Sequence, residues 1–169
     1  MSGIALKELL TKSAEPALSF YWAAKSATFP SFKGIKPEAY WFASCDLPSY
    51  AFEAQPFYNG GKRKSYAGST DSLSFSLSLF ITSDYRQLTW VQGWMESIRS
   101  YEGFYGLPRD YKKDLVFELQ DTTGAVQVEA TCKGSWVTNP DSLSMSYNTS
   151  DIVMLGVNMT CDDIEFRKP

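Results

Sequence analysis

The chain has 169 residues, a mass of 19.0 kDa and a formal net charge of −3. This length suffices for one folded unit with a buried core, so we expect residues 1–169 to form a single domain. Its 44% of hydrophobic and 21% of charged residues are typical of a soluble globular protein. The acidic balance disfavours proteins that bind nucleic acid by gripping its phosphates, because such proteins are usually basic.

Few residues of the chain could carry chemistry. There is no histidine, which excludes Ser–His and Cys–His nucleophile pairs and zinc sites built on imidazole. Cys45, Cys132 and Cys161 are far apart in the sequence, and we interpret them as reduced thiols. The acidic run at 162–165 follows the last predicted strand and is interpreted as a solvated tail. We therefore predict no catalytic residue, no metal site and no cofactor.

The first part of the chain predicts an arm and two strands. Residues 1–14 have a roughly helical spacing of apolar residues and are interpreted as a short helix or mobile N-terminal arm. Alternation over 17–25 and the apolar run at 38–45 predict strands, with 27–37 as a connecting loop. No apolar leader and no long apolar stretch is present, so we expect neither a signal peptide nor a membrane span.

Residues 50–70 predict a long hairpin that protrudes from the body. Asn-Gly is a strong turn signal because both residues tolerate positive φ. The glycines lack the spacing of a phosphate-binding loop. The basic residues of the tip fit either solubilising charge or a docking contact. As candidates for that contact the sequence offers Phe57, Tyr58, Asn59, Gly60, Gly61, Lys62, Arg63 and Lys64.

The middle of the chain contains the clearest strand and the one convincing helix. Residues 73–79 alternate strictly between apolar residues and serine. Residues 84–99 predict a helix with Asp84 as N-cap and Gln87 as its capping-box partner. Trp90 lies off the apolar stripe of this helix and is a candidate for an interface, as is Tyr101. The stripe itself, which we expect in the core, is Leu88, Val91, Trp94, Met95 and Ile98.

The rest of the sequence predicts β-structure. After a loop at 101–113, strands are predicted at 115–119, 126–131, 142–147 and 153–161. The fold class that follows is mainly β (α+β): an antiparallel β-sandwich or half-barrel with one packed helix and a protruding hairpin.

Serine occupies every second position of two predicted strands. An ordinary solvent-exposed sheet face would explain this pattern. A channel lining would explain it too, because each cation that neutralises a phosphate adds to binding and a neutral lining leaves a polyanion mobile. The candidates for such a lumen face are Ser74, Ser76, Ser78, Ser142, Ser144 and Ser146.

Three segments of the second half form a distinctive set: the helix with Trp94, the run 111–113, and residues 133–140. Together they resemble the tail tube proteins of contractile-tailed phages. The family pattern Lys-Gly-x-Trp-Pro-Thr-Asn has Val137 here in place of proline, and it is otherwise matched by Lys133, Gly134, Trp136, Thr138 and Asn139. The resemblance covers residues 15–166, more weakly in the first half.

The resemblance implies a structural virion protein without enzymatic activity. Members of the family form homo-hexameric rings, each closed by a ring-shaped β-barrel, and the rings stack into a tail tube inside a contractile sheath. The implied partners are the sheath, tape-measure, baseplate and terminator proteins, with double-stranded DNA passing through without sequence-specific binding. Assembly in the host cytoplasm is implied as well.

Other functions fit the same sequence. The fold also serves as the tube of contractile injection or secretion systems, and as a baseplate tube-initiator; the compact chain favours a main tube. A monomeric ligand-binding β-sandwich would account for the 15% of aromatic residues. A small β-fold hydrolase is disfavoured by the missing histidine.

Overall fold

A computed structural model describes residues 19–169. The predicted N-terminal arm at 1–14 and the start of the predicted strand at 17–25 lie outside the described residues. That strand is present as β1, which is shorter than predicted and comprises Trp22–Ala24.

Nine strands and two α-helices are assigned within residues 19–169. The strands after β1 are β2 (Phe42–Asp46), β3 (Phe52–Asn59), β4 (Lys62–Thr70), β5 (Leu73–Phe80), β6 (Lys113–Gln120), β7 (Val126–Pro140), β8 (Met154–Cys161) and β9 (Asp163–Arg167). The helices are α1 (Arg86–Ile98) and α2 (Pro108–Tyr111).

All strand pairs are antiparallel, which confirms the predicted mainly-β fold class. Seven strands form one sheet in the order β1-β6-β7-β8-β5-β2, with β9 added to β7, while β3 and β4 form a separate hairpin. The long strand β7 belongs to two parts of this sheet. Its first half pairs with β6 and β9, and its second half, from Trp136 to Pro140, pairs with β8.

The sheet curls around its apolar face without closing. Its two edge strands, β1 and β2, line the same cleft of about 620 Å³, and no ladder joins them within residues 19–169. The molecule is therefore a half-barrel with an open seam. Alternate residues of the central strands fill its interior, among them Leu77, Leu79, Leu115, Phe117 and Met159.

Helix α1 covers this core with a face that differs from the predicted stripe. Val91 and Trp94 are buried as expected, Leu88 and Met95 are half-buried against the core, and Ile98 is half-buried. Trp90, predicted as an interface residue, is only 1% exposed. Its indole N–H donates to Pro30 O at 2.9 Å, so a loop that the periodicity of the helix does not reveal covers this side.

The start of α1 also differs from the prediction. Tyr85 has φ 53°, a left-handed conformation that prevents the helix from extending back to Asp84. The Asp84 carboxylate accepts a hydrogen bond from the Thr82 hydroxyl, which lowers the pKa of Asp84, and the N-cap position is occupied by Tyr85. Gln87 Oε1 instead accepts the Thr82 N–H at 3.1 Å, so the glutamine closes the preceding turn.

Three predicted segments have a different structure. Residues 39–41 of the predicted strand 38–45 form a 3₁₀ turn, and β2 starts after it. The acidic run expected as a solvated tail is largely the ordered strand β9, paired with β7. The predicted strand 142–147 is wrong, because these residues form no ladder. Both edges of β8 are already paired, with β5 and β7, so the alternating segment has no free edge to join there.

Candidate functional site

The outward side of β2, β5, β8 and the second half of β7 is almost free of charge. We call it the neutral face. Cross-strand partners place Ser74 opposite Thr160 and Ser76 opposite Asn158, so these side chains share one side of the sheet. Neither lysine nor arginine occurs among its members, which are Ser44, Asp46, Ser74, Ser76, Ser78, Phe80, Thr138, Asn139, Met154, Gly156, Asn158 and Thr160.

Hydrogen bonds between neighbouring strands order the neutral face. The Ser76 hydroxyl donates to Asp46 Oδ2 at 3.0 Å, and the hydroxyls of Thr138 and Thr160 are 2.8 Å apart. A shallow hollow of about 610 Å³ runs across these residues. Asn158 also donates to Asp141 Oδ1 at 3.0 Å, so the two carboxylates of Asp46 and Asp141 make this surface weakly acidic.

Only half of the predicted lumen candidates lie on this surface. Ser74, Ser76 and Ser78 do, whereas Ser142, Ser144 and Ser146 lie in the irregular segment that precedes β8. Sequence reasoning did not assign Asn158 and Thr160 to this face. The alternation of β8 carried the signal, but only the register of β8 against β5 shows which alternate residues share a face with the serines.

The outward side of β1, β6, β9 and the first half of β7 is, in contrast, strongly charged but balanced. Lys25 Nζ lies 3.2 Å from Glu129 and 3.7 Å from Glu118, and the hydrogen bond from Lys25 to Glu129 raises the pKa of the lysine. Lys133 Nζ lies 2.6 Å from Glu165 and lowers the pKa of that carboxyl. The outward surfaces of the two parts of the sheet thus differ in charge: one is neutral, and the other carries paired charges.

The predicted hairpin is formed by β3 and β4, which meet at Gly60 and Gly61. Both glycines have positive φ, 59° and 74°, as a two-residue turn between the paired residues Asn59 and Lys62 requires. Phe57 and Tyr66 contact each other on the hairpin, with 5.9 Å between ring centroids, and stay exposed to solvent. Tyr58 is 73% exposed.

The hairpin tip carries a concentrated positive charge. Lys62, Arg63 and Lys64 are all exposed, and none of them makes an ion pair with another of residues 19–169. At the base of the hairpin, the Tyr50 hydroxyl donates to Ile164 O at 2.9 Å and contacts the Asp163 carboxylate. The base is thus fixed to the body, while β3 and β4 pair only with each other within residues 19–169.

The motif that carries the sequence resemblance forms the corner where β7 passes from one part of the sheet to the other. Gly134 has φ 64°, and its N–H donates to Asp114 Oδ1 at 2.9 Å. Trp136 packs edge-on against Tyr111, with ring centroids 6.1 Å apart. The Trp94 indole N–H in turn donates to Tyr111 O at 2.8 Å, which links the corner to α1. The motif residues thus fix the corner of β7 and its connection to α1, which is a structural role.

The described residues 19–169 contain no group of three or more His, Cys, Asp or Glu side chains placed to hold a metal ion. Burial raises the pKa of the Cys45 thiol to about 12, and burial also raises the pKa of Cys132 and Cys161. These thiols are thus poor nucleophiles near neutral pH. No helix in this part of the chain is long and apolar enough to cross a membrane.

Comparison with known proteins assigns the fold to a class. No protein-family model and no curated protein matches the sequence. Among solved structures, chains from the tube terminating cap of one contractile particle and from the sheath–tube complex of another share this fold, so the resemblance inferred from sequence is confirmed at the level of fold.

Two of these structures match nearly the whole chain. A chain of the anti-feeding prophage cap, the tube terminating cap, has a TM-score of 0.70 at 15% identity, covering 92% of this chain and 93% of its own. A chain of the extended sheath–tube complex of the PVC extracellular contractile injection system has a TM-score of 0.68 at 15% identity, covering 96% and 97%. Hcp1 from Flavobacterium johnsoniae has a TM-score of 0.52 at 10% identity, covering 89% and 97%.

Proposed function

We propose that this protein is a structural, non-enzymatic subunit of the tube of a contractile particle. Identical copies form rings, six to a ring, and the rings stack into a hollow tube inside a sheath. The observation that carries this proposal is the likeness of fold, over more than nine-tenths of both chains, to a chain of a sheath–tube complex. The free sheet edges, the neutral face and the exposed hairpin each give the proposed tube a physical basis.

Ring closure accounts for the free sheet edges. Strand β2 is unpaired on one side, and the second half of β7 pairs only with β8 among the described residues. These are the two borders of the four-stranded part that carries the neutral face. An open edge presents unpaired backbone donors and acceptors, which a neighbouring copy can satisfy. Joining β2 of one copy to β7 of the next would continue the sheet around a ring, and such a head-to-tail contact closes by rotation.

The neutral face is then the proposed lining of the lumen, with Ser74, Ser76 and Ser78 on it. A lining without cations suits the passage of a polyanion, because no phosphate is held by a local ion pair. Ser142, Ser144 and Ser146 lie outside the sheet and are not part of this proposed lining.

Ring stacking accounts for the hairpin. Phe57 and Tyr58 would be exposed in an isolated copy, and large exposed aromatic residues commonly mark interaction sites. We assign inter-ring contact to the hairpin tip from Phe57 to Lys64.

Two kinds of particle use such a tube, and different observations support each. The structural neighbours come from injection systems, which supports a tube that delivers cargo from an extracellular particle. The motif at residues 133–139 resembles phage tail tubes and supports ejection of genome DNA from a virion. In both cases the proposed partners are the sheath, tape-measure, baseplate and terminator proteins, and assembly takes place in the cytoplasm of the producing cell.

Electron microscopy of the purified protein tests the proposal. We expect hollow tubes with six-fold symmetry at high protein concentration, and folded protein that forms no tubes when residues 56–64 are deleted. Circular dichroism of the deletion variant checks that the body is still folded. A wild-type protein that stays monomeric in every buffer would contradict the proposal and favour a ligand-binding β-sandwich. Imaging of native particles, with or without a DNA-filled head, separates the two kinds of particle.

A further inference from the structure

The irregular segment 141–153 lies at the end of the sheet opposite the hairpin. Strand β5 begins at Leu73 and ends at Phe80, where it pairs with Met154, the first residue of β8. The hairpin leads into β5 and is therefore attached at the Leu73 end. Segment 141–153 leads into β8 and is attached at the Phe80 end. A copy of the chain thus presents the hairpin at one end and this segment at the other.

Segment 141–153 exposes apolar side chains around a preformed hollow. Met145 is 62% and Ile152 72% exposed, although both are large apolar residues. They line a hollow of about 350 Å³ together with Asp151 and the hydroxyls of the three serines at 142, 144 and 146. Asp151 makes no ion pair with any of residues 19–169. The segment therefore offers a concave surface with apolar walls and an unpaired negative charge.

The hairpin tip has the complementary properties. Lys62, Arg63 and Lys64 supply positive charge that makes no ion pair within residues 19–169, and Tyr58 supplies an exposed aromatic ring beside them. The eight residues of β3, at about 3.3 Å each, span about 26 Å between the attached base of the hairpin and its tip. Complementary charge selects the partner and its register, and an aromatic side chain that fills a hollow anchors the contact.

Resting on the proposed function, we propose that segment 141–153 is the acceptor for the hairpin tip of a second copy in the next ring. Asp151 would face the tip cations, and Tyr58 would enter the hollow. Because donor and acceptor lie at opposite ends of one chain, the contact repeats head to tail and extends into a filament. This assignment gives the serines at 142, 144 and 146 a role in the acceptor, as hydrogen-bonding groups at its rim.

A charge swap tests the assignment. We expect Asp151→Lys, and separately the triple variant Lys62→Glu/Arg63→Glu/Lys64→Glu, to raise the protein concentration needed for tube formation at least tenfold. Combining Asp151→Lys with the triple variant restores attraction between tip and acceptor, and should bring that concentration back to within about threefold of wild type. As a control, Asp110→Lys makes the same charge change on the exposed helix α2 and should leave the concentration needed for tube formation unchanged. Wild-type polymerisation of Asp151→Lys, or no rescue in the combined variant, would overturn the assignment.

A cross-linking experiment separates this proposal from the proposed function. A photoreactive phenylalanine analogue at position 58 is irradiated in tubes of mixed isotope-labelled copies, and the products are mapped by mass spectrometry. Cross-links between copies that fall within 141–153 support the contact. Tubes whose cross-links fall elsewhere overturn the acceptor and leave the tube function standing. Absence of any ring or tube refutes the tube function and with it this contact.

Discussion

Replacing Gly134 by alanine tests whether the motif corner of β7 needs a glycine. Gly134 has φ 64°, and a Cβ added there would lie 2.3 Å from Asp162 Oδ2 and 3.0 Å from its Cγ. Asp162 is held in place from two sides: Lys112 Nζ lies 2.9 Å from its carboxylate, and its own N–H donates to Lys133 O at 2.9 Å. The methyl group would therefore displace a side chain that is fixed between β8 and β9.

The expected loss follows from three contributions. A non-glycine residue in the left-handed region costs about 1 kcal/mol. Displacing Asp162 weakens its backbone hydrogen bond, worth about 1 kcal/mol, and its exposed ion pair with Lys112, worth at most about 1 kcal/mol. We expect a destabilisation of about 2 to 3 kcal/mol for Gly134→Ala. For a chain of this size it corresponds to a fall in Tm of about 4 to 12 °C.

Gly124 provides a matched control. It also has positive φ, 83°, but nothing lies within 4 Å of an added Cβ, so Gly124→Ala should cost only the backbone term of about 1 kcal/mol. Thermal unfolding followed by circular dichroism measures both variants. In Gly134→Ala/Asp162→Ala the clash is removed, so the double variant should lose less stability than the sum of the two single variants. Equal losses for the two glycine variants, or strict additivity in the double variant, would refute the reasoning.

Three further outcomes are expected. Trp90→Ala should cost about 3 to 5 kcal/mol in urea unfolding because the indole is buried, whereas Tyr101→Ala at an exposed position should change stability by less than about 0.5 kcal/mol; similar values would show that Trp90 is not a core residue. The Thr123 hydroxyl and N–H donate to Asp121 and lower the pKa of its carboxyl to about 2, below the unfolded value of about 3.9. The stability gained from this lowered pKa is present above pH 4 and is lost as pH falls towards 2. The Tm difference between wild type and Asp121→Asn should therefore shrink over that interval. A constant difference would exclude the effect. The three cysteine thiols should react with iodoacetamide at pH 8 only after unfolding, as measured by mass spectrometry, and rapid labelling of the native protein would contradict their raised pKa.

The strands that the sequence predicted well are those whose pattern is set locally. In β5 every second residue is apolar and buried, and the same holds for β8, because both faces of these strands have a constant environment along their length. Residues 142–147 show equal alternation but form no strand, so alternation alone does not determine whether a segment joins a sheet. Alternation describes the two sides of a segment and contains no information about its neighbours.

Features that depend on distant residues were not predictable from the sequence. Trp90 is buried because the loop at Pro30 accepts its indole N–H, sixty residues away in sequence. The membership of Asn158 and Thr160 in the neutral face depends on the register between β5 and β8. The hairpin, in contrast, was predicted from its turn signal, although the two residues with positive φ are Gly60 and Gly61, and Asn59 is the last residue of β3.

The hairpin is also the strongest physical reason to look for function in assembly. Within residues 19–169, its strands β3 and β4 pair only with each other, and its aromatic residues Phe57, Tyr58 and Tyr66 are all exposed. An isolated two-stranded hairpin is at best marginally stable in water, so these residues add little to the stability of the subunit that carries them. Since the core is complete without the hairpin, the aromatic and basic character of its tip is not explained by folding. It is explained if the surface that the tip buries belongs to another copy of the chain.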